Sequence, residues 1–174
     1  MRIIDDYLEP NVFEALRSAI MAPAFPWEKS QILKDPPAHM PPECNFQYVH
    51  GFYLKNAKRE YRSPRLGIIQ PLLAHIGPLH LIKAKVNMTT RQTTQVAHAY
   101  HQDTQRPGAT TAVLYLNTNN GHTLFEDGRK VDSVANRVVF FEAKLAHSGV
   151  HCTDSDKRVV LNLNMLLDTT PRPR

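Results

Sequence analysis

With 174 residues, 42% of them hydrophobic, the chain is long enough for one compact domain with a real core and too short for two. No run of roughly 18 apolar residues offers a transmembrane helix, and the opening MRIIDDYLEP has no long apolar stretch before a small-residue cleavage site. Two cysteines, Cys44 and Cys152, argue against a disulfide framework, so a reducing cytoplasm is the expected compartment; the net charge of +5 comes from scattered Lys and Arg with no nucleic-acid-binding motif.

The first expected element is a helix opened by Pro10, with Phe13, Leu16 and Ile20 at helical spacing and Pro23 and Pro26 beyond its end. Trp27, in FPW, and His50, in QYVHGFY, are candidates for the mouth of a site, although core or hinge packing is the plainer reading of Trp27. Residues 34–44, KDPPAHMPPEC, carry four prolines and are expected to be an irregular loop of the kind that serves as a lid or substrate-binding element. Ser63-Pro64 resembles a helix start; Leu66, Ile69, Leu72, Leu73 and Ile76 make an apolar stripe, Pro71 should kink it, and Gly77-Pro78 stops it.

From about residue 79 the period changes from 3.6 to 2. Ile82, Ala84, Val86 and Met88 alternate with Lys83, Lys85 and Asn87, and further strands are expected over 110–117, 137–142 and 158–166. Asn120-Gly121 and Asp127-Gly128 are hairpin signals. The pattern predicts an antiparallel double sheet buttressed by two N-terminal helices, in a single domain: a helical part over about 1–78, a β core over about 79–167, and a frayed TTPRPR end. Alternation in the last strand puts Arg158, Val160, Asn162 and Asn164 on one face and Val159, Leu161, Leu163 and Met165 on the other. The first set suits the wall of a wet pocket and the second a surface packed under a helix.

Six of the nine histidines fall from His80 onward. His101-Gln102-Asp103 spaces an imidazole and a carboxylate so that both share one face of an extended segment. Two histidines and one carboxylate on one face of an octahedron leave three positions open, the arrangement of non-haem iron oxygenases. A third ligand would be His147, which follows the β-run RVVFFEAKLAH, or His151. Ten residues intervene between His147 and Arg158, which opens the last strand; a fixed bidentate cation there can hold the distal carboxylate of a 2-oxoacid. Lys83 and Arg137 are the alternative cations. His98, three residues before His101, is expected to point to the opposite face, and Cys152 to be inert.

With this ordered set, HxD…H…R, the chain resembles the 2-oxoglutarate/Fe(II) dioxygenase superfamily, and more closely its prolyl-4-hydroxylase-like members and their small phage-type relatives. YLN at 115–117, NNGHT at 119–123, NRVVFF at 136–141, HSG at 147–149 and the closing RVVLNLN carry the resemblance over most of the chain, with DDYLEP and FPW resembling the N-terminal region of the small relatives. The resemblance implies a mainly β double-stranded β-helix, or jelly roll, buttressed by N-terminal α-helices. It implies Fe(II) on His101, Asp103 and His147, the HSG context favouring His147 over His151. It implies 2-oxoglutarate on Arg158, with Tyr115 and Asn87 as further cosubstrate contacts, and O2 as co-reactant. The implied reaction is hydroxylation of a C–H bond with oxidative decarboxylation of 2-oxoglutarate to succinate and CO2. A prolyl residue in a peptide or protein leads the substrates; a small molecule is the other class, and no membrane or nucleic-acid partner is indicated. The rivals are a cupin-type metal enzyme that does not use 2-oxoglutarate and a catalytically silent jelly-roll binding module.

Overall fold

The structure, a computed structural model, describes residues 1–36 and 40–168. The middle of the proline-rich loop and the TTPRPR end therefore lie outside the described residues. Helix α1 (Pro10–Met21) begins with its proline in the first turn, where no N–H is missed, and buries Phe13, Leu16 and Ile20 on one face. Pro23 disfavours helix at the residue before it, and Ala22 accordingly turns extended at φ −60° and ψ 143°.

The first 78 residues are less helical than their pattern predicts. They also carry four strands, β1 (Arg2–Ile4), β2 (Glu28–Gln31), β3 (Phe46–Lys55) and β4 (Glu60–Arg62). The second predicted helix is two elements: a 3-10 turn over Leu66–Ile69, then α2 (Gln70–Ile76). Pro71 does not kink a continuous helix; it sits in the first turn of α2, where its ring is harmless. Gly77 ends α2 in the left-handed conformation at φ 63°. The proline-rich loop closes on a second 3-10 turn, Pro42–Asn45.

The remaining strands are β5 (His80–Thr90), β6 (Ala109–Tyr115), β7 (His122–Phe125), β8 (Lys130–Asp132), β9 (Val138–Glu142), β10 (His147–Val150) and β11 (Lys157–Leu166). They form a large antiparallel sheet in the order β1-β9-β6-β11-β5-β3-β2, with β4 on β3, facing a small sheet β10-β7-β8. The chain is a mainly β jelly roll buttressed by helices, as expected. Strand β11 lies at its centre, paired with β5 and β6. One face of the large sheet (Ala84, Val86, Ala112, Leu114, Val159, Leu161, Leu163, Met165) packs with Phe13, Leu16 and Ile20 of α1 into the main core. A smaller cluster between the sheets joins Val113, Tyr115, Val139 and Val160 to Phe125 and Val131.

The two hairpin signals part company. Asp127-Gly128 does turn β7 into β8, with Gly128 at φ 86°. Asn120-Gly121 joins no hairpin, because the strands on either side of it, β6 and β7, belong to different sheets. Gly121 answers to a tertiary demand instead: a Cβ there would lie 2.7 Å from Arg158 Cδ and 2.8 Å from the Val150 carbonyl.

Candidate metal centre and cavity

Residues 91–108, between β5 and β6, contain no regular strand, yet backbone bonds pin them to the small sheet. His101 N–H donates to the His147 carbonyl (2.9 Å), His147 N–H returns to His101 (3.0 Å), and Asp103 N–H donates to Ala143 (3.0 Å). The turn after β9 carries the chain from the large sheet to the small one, which sets His147 opposite His101. One ligand atom from each of His101, Asp103 and His147 then lies within 4.8 Å of the others, with His147 Nε2 3.6 Å from Asp103 Oδ2.

Each donor is held in a metal-binding form. Nδ1 of His147 lies 2.9 Å from the Leu145 carbonyl; donation there fixes the tautomer and leaves the Nε2 lone pair facing the cluster. Burial and the neighbouring His147 lower the pKa of His101, which keeps that ring neutral. Burial pushes the Asp103 carboxyl upward, but His147, a hydrogen bond from Thr111, His101 and Lys85 together outweigh it, so its pKa is lowered and it stays ionised. Asn164 donates to Thr111 Oγ1 (3.0 Å), Thr111 donates to Asp103 Oδ2 (2.8 Å), and Asn162 approaches the same oxygen at 3.5 Å. A relay from β11 through β6 thus orients the carboxylate. Two imidazoles and one carboxylate converging from one side fit a divalent iron with open positions.

His101 and His147 line a cavity of about 310 Å³ whose wall also carries Arg158, Asn87, Thr89 and Asn162. Arg158, 6% exposed, donates from Nε to Ser133 (2.9 Å) and from Nη2 to Thr123 (3.2 Å). No carboxylate among the described residues pairs with it. A buried guanidinium held only by neutral groups calls for an anion. Thr89, its cross-strand partner on β5, brings to the same cavity a buried hydroxyl with no hydrogen-bond partner among the described residues, and the Asn87 Oδ1 likewise has none among them. These groups fit the distal carboxylate of 2-oxoglutarate. Thr89 was legible only as the next inward position after Asn87, and its opposition to Arg158 depends on the β5–β11 pairing.

The structure places the other candidates as follows. Tyr115 is fully buried behind the cavity wall; its hydroxyl donates to Thr123 (2.8 Å), and its ring lies 5.6 Å from the Arg158 guanidinium. It therefore supports Arg158 through Thr123. Arg137 is engaged with Asp5, and Lys85, not Lys83, reaches the cavity wall. His151 stands apart from the triad, with Nε2 2.9 Å from His98 Nε2 and 3.2 Å from the Cys44 carbonyl. His98 does not point away from His101, as strict alternation predicted: the segment is not a regular strand, and both residues line the cavity. Trp27 packs beside Phe25 on the main core. His50 is buried between Phe25 and Phe52, with Nε2 2.9 Å from the Ser63 hydroxyl, and is not in the cavity wall. Cys152 is buried, and its thiol donates a hydrogen bond to the Ser155 carbonyl.

No protein-family model matches the sequence, and no curated protein sequence matches it. Solved structures do match the fold. An oxidoreductase of the 2OG-Fe(II) oxygenase family from Burkholderia pseudomallei aligns at TM-score 0.66 and 13% identity, over 94% of this chain and 84% of its own. A non-haem alpha-ketoglutarate-dependent epimerase of nogalamycin biosynthesis aligns at TM-score 0.62 and 14% identity, over 95% and 76%. A prolyl hydroxylase from Trichoplax adhaerens, in complex with a peptide fragment of the hypoxia inducible factor oxygen degradation domain, aligns at TM-score 0.61 and 10% identity, over 94% and 82%. The chain thus has the jelly-roll fold of the 2-oxoglutarate/Fe(II) oxygenases. No helix among the described residues is long and apolar enough to cross a membrane.

Proposed function

We propose that the chain is an Fe(II)- and 2-oxoglutarate-dependent dioxygenase that hydroxylates a C–H bond, with a prolyl residue in a peptide or protein as the leading substrate. The observation that carries this reading is a single cavity lined both by the two histidines of a two-histidine, one-carboxylate cluster and by a buried arginine that no acid among the described residues balances. Iron bound there would supply dioxygen activation, coupled to oxidative decarboxylation of 2-oxoglutarate to succinate and CO2.

His101, Asp103 and His147 hold the metal. The Leu145 carbonyl and the Asn164–Thr111 relay keep His147 and Asp103 aimed at it, so little reorganisation accompanies binding. Arg158, steadied by Ser133 and by a Thr123 hydroxyl that Tyr115 also bonds, receives the distal carboxylate together with Thr89. Asn87 offers a further polar contact. Val113 and Val160 supply apolar wall to the same cavity. The fold itself leaves the reaction open, since the neighbours include an epimerase as well as hydroxylases. The prolyl reading draws support from the sequence resemblance and from the Trichoplax prolyl hydroxylase, whose structure holds a peptide.

The test is succinate release from 2-oxoglutarate by the purified protein with Fe(II), with mass spectrometry of peptide and metabolite pools for a gain of one oxygen. Iron- and 2-oxoglutarate-dependent succinate is the expected result. Metal-dependent turnover without 2-oxoglutarate consumption would replace this reading with a cupin-type chemistry, and cosubstrate binding without turnover with a silent binding module.

A further inference from the structure

We infer that Lys85 is a specificity-determining residue and that the primary substrate presents a carboxylate to it beside the carbon that reacts. The inference rests on the oxygenase reading above and deepens it by assigning the substrate a charge.

Lys85 lies on β5, two residues before Asn87 and four before Thr89, so all three share the inward face of the strand, and all three line the cavity. Its ammonium has no ion pair and no hydrogen bond among the described residues; Asp103 acts on it only across space. Burial lowers its pKa to about 8, with Lys83 adding to the effect and Asp103 opposing it. An unpaired ammonium in a cavity wall is unfavourable for the protein alone, and a bound anion removes the penalty.

The formal charges show which anion. With a divalent cation on the triad and dianionic 2-oxoglutarate beside Arg158, the cation and cosubstrate cancel, and so do Asp103 and Arg158. The ammonium of Lys85 is left over. A cosubstrate seated on Arg158 does not reach it at that end: Arg158 faces Thr89, and the backbone positions of Lys85 and Thr89 are about 13 Å apart at the rise of a strand. Lys85 belongs to the metal end. Its cross-strand neighbour on β11 is Asn162, the residue that approaches the Asp103 carboxylate.

The other flank carries no side chain of its own. On β3 the partner of Lys85 is Gly51, where a Cβ would meet nothing nearer than Tyr61 Cε1 at 3.9 Å. A substrate can therefore lie against Lys85 from the β3 side while its reacting carbon faces the metal. The carboxylate is either a free one on a small molecule or an acidic side chain beside the target residue in a peptide.

Propionate and propionamide have nearly the same size and differ in charge, so they serve as probes. Wild type and Lys85→Met, loaded with Zn(II) as a redox-inert metal and with 2-oxoglutarate, are titrated with each by NMR. Lys85→Gln repeats the measurement should the methionine variant not fold. In wild type propionate should bind about tenfold or more tightly than propionamide. That preference should vanish in Lys85→Met and return in Lys85→Arg, while 2-oxoglutarate affinity stays within about twofold of wild type. Equal binding of the two probes, no binding of propionate, or a preference that survives in Lys85→Met overturns the inference, the last by assigning the anion to the metal. A large loss of 2-oxoglutarate affinity in Lys85→Met also overturns it, by making Lys85 a cosubstrate anchor. Failure of wild type to bind 2-oxoglutarate at all would instead sink the oxygenase reading. Hydroxylation of a Pro-Asp peptide over its Pro-Asn counterpart assigns the carboxylate to a side chain; no difference assigns it to a free acid.

Discussion

Strand β11 is buried on both faces, but the two faces do different work. Val159, Leu161, Leu163 and Met165 merge into the main core under α1, where any well-packed apolar set of the right volume serves. On the other face Arg158 and Asn162 line the cavity and Asn164 lies beyond them, and each has a named partner: Ser133 and Thr123 for the arginine, Asp103 and Thr111 for the asparagines. One strand therefore carries a tolerant face that supplies stability and an intolerant face that supplies chemistry. Substitutions should separate the two.

The largest effect is expected at the ligands. His147→Ala or Asp103→Ala should abolish succinate release and reduce iron stoichiometry, while circular dichroism stays that of wild type. Full iron retention in His147→Ala with loss in His151→Ala would move the distal ligand to His151.

Arg158→Ala comes next. Removing one member of a desolvated charge pair costs about 2–5 kcal/mol, so 2-oxoglutarate should bind roughly 30-fold to several thousand-fold more weakly in calorimetry of the metal-loaded protein. Iron stoichiometry should not change. Arg158→Lys should recover only part of the affinity, because an ammonium cannot reproduce the bidentate fork.

On the opposite face the outcome should invert. Leu163→Ala, at a position 1% exposed, should cost about 2–5 kcal/mol in denaturant unfolding while 2-oxoglutarate affinity per folded molecule stays that of wild type. A large affinity loss there would show that the two faces are coupled.

The last effect is confined to acid pH, with no change expected at neutral pH, and concerns the His98–His151 pair. Burial first, then His151, Arg158 and His101, lower the His98 pKa from 6.5 to about 3. Its neutral form is thus favoured on folding, and the associated stability is present above pH 6.5 and lost as pH falls toward about 3. In His98→Gln the acid side of the stability–pH curve, read from denaturation midpoints, should be shallower than in wild type.

The sequence by itself determined what is local or strictly ordered. Helix α1, the alternation of β11 and the HxD…H…R order are legible because helical and strand periods and motif spacings are properties of consecutive residues. Tertiary structure decided everything that depends on which strands lie side by side. Strand pairing brought β3 into the large sheet beside β5 and gave Lys85 a glycine, Gly51, as its neighbour. Register set Thr89 opposite Arg158 and spent the Tyr115 hydroxyl on Thr123. The crossing from β9 to β10 brought His147 to Asp103 and left His151 with His98. It also made Gly121 a clearance for Arg158, although Asn120-Gly121 reads as a hairpin. The physical reason is that periodicity fixes which face a side chain takes, whereas only the long-range register fixes what it meets there.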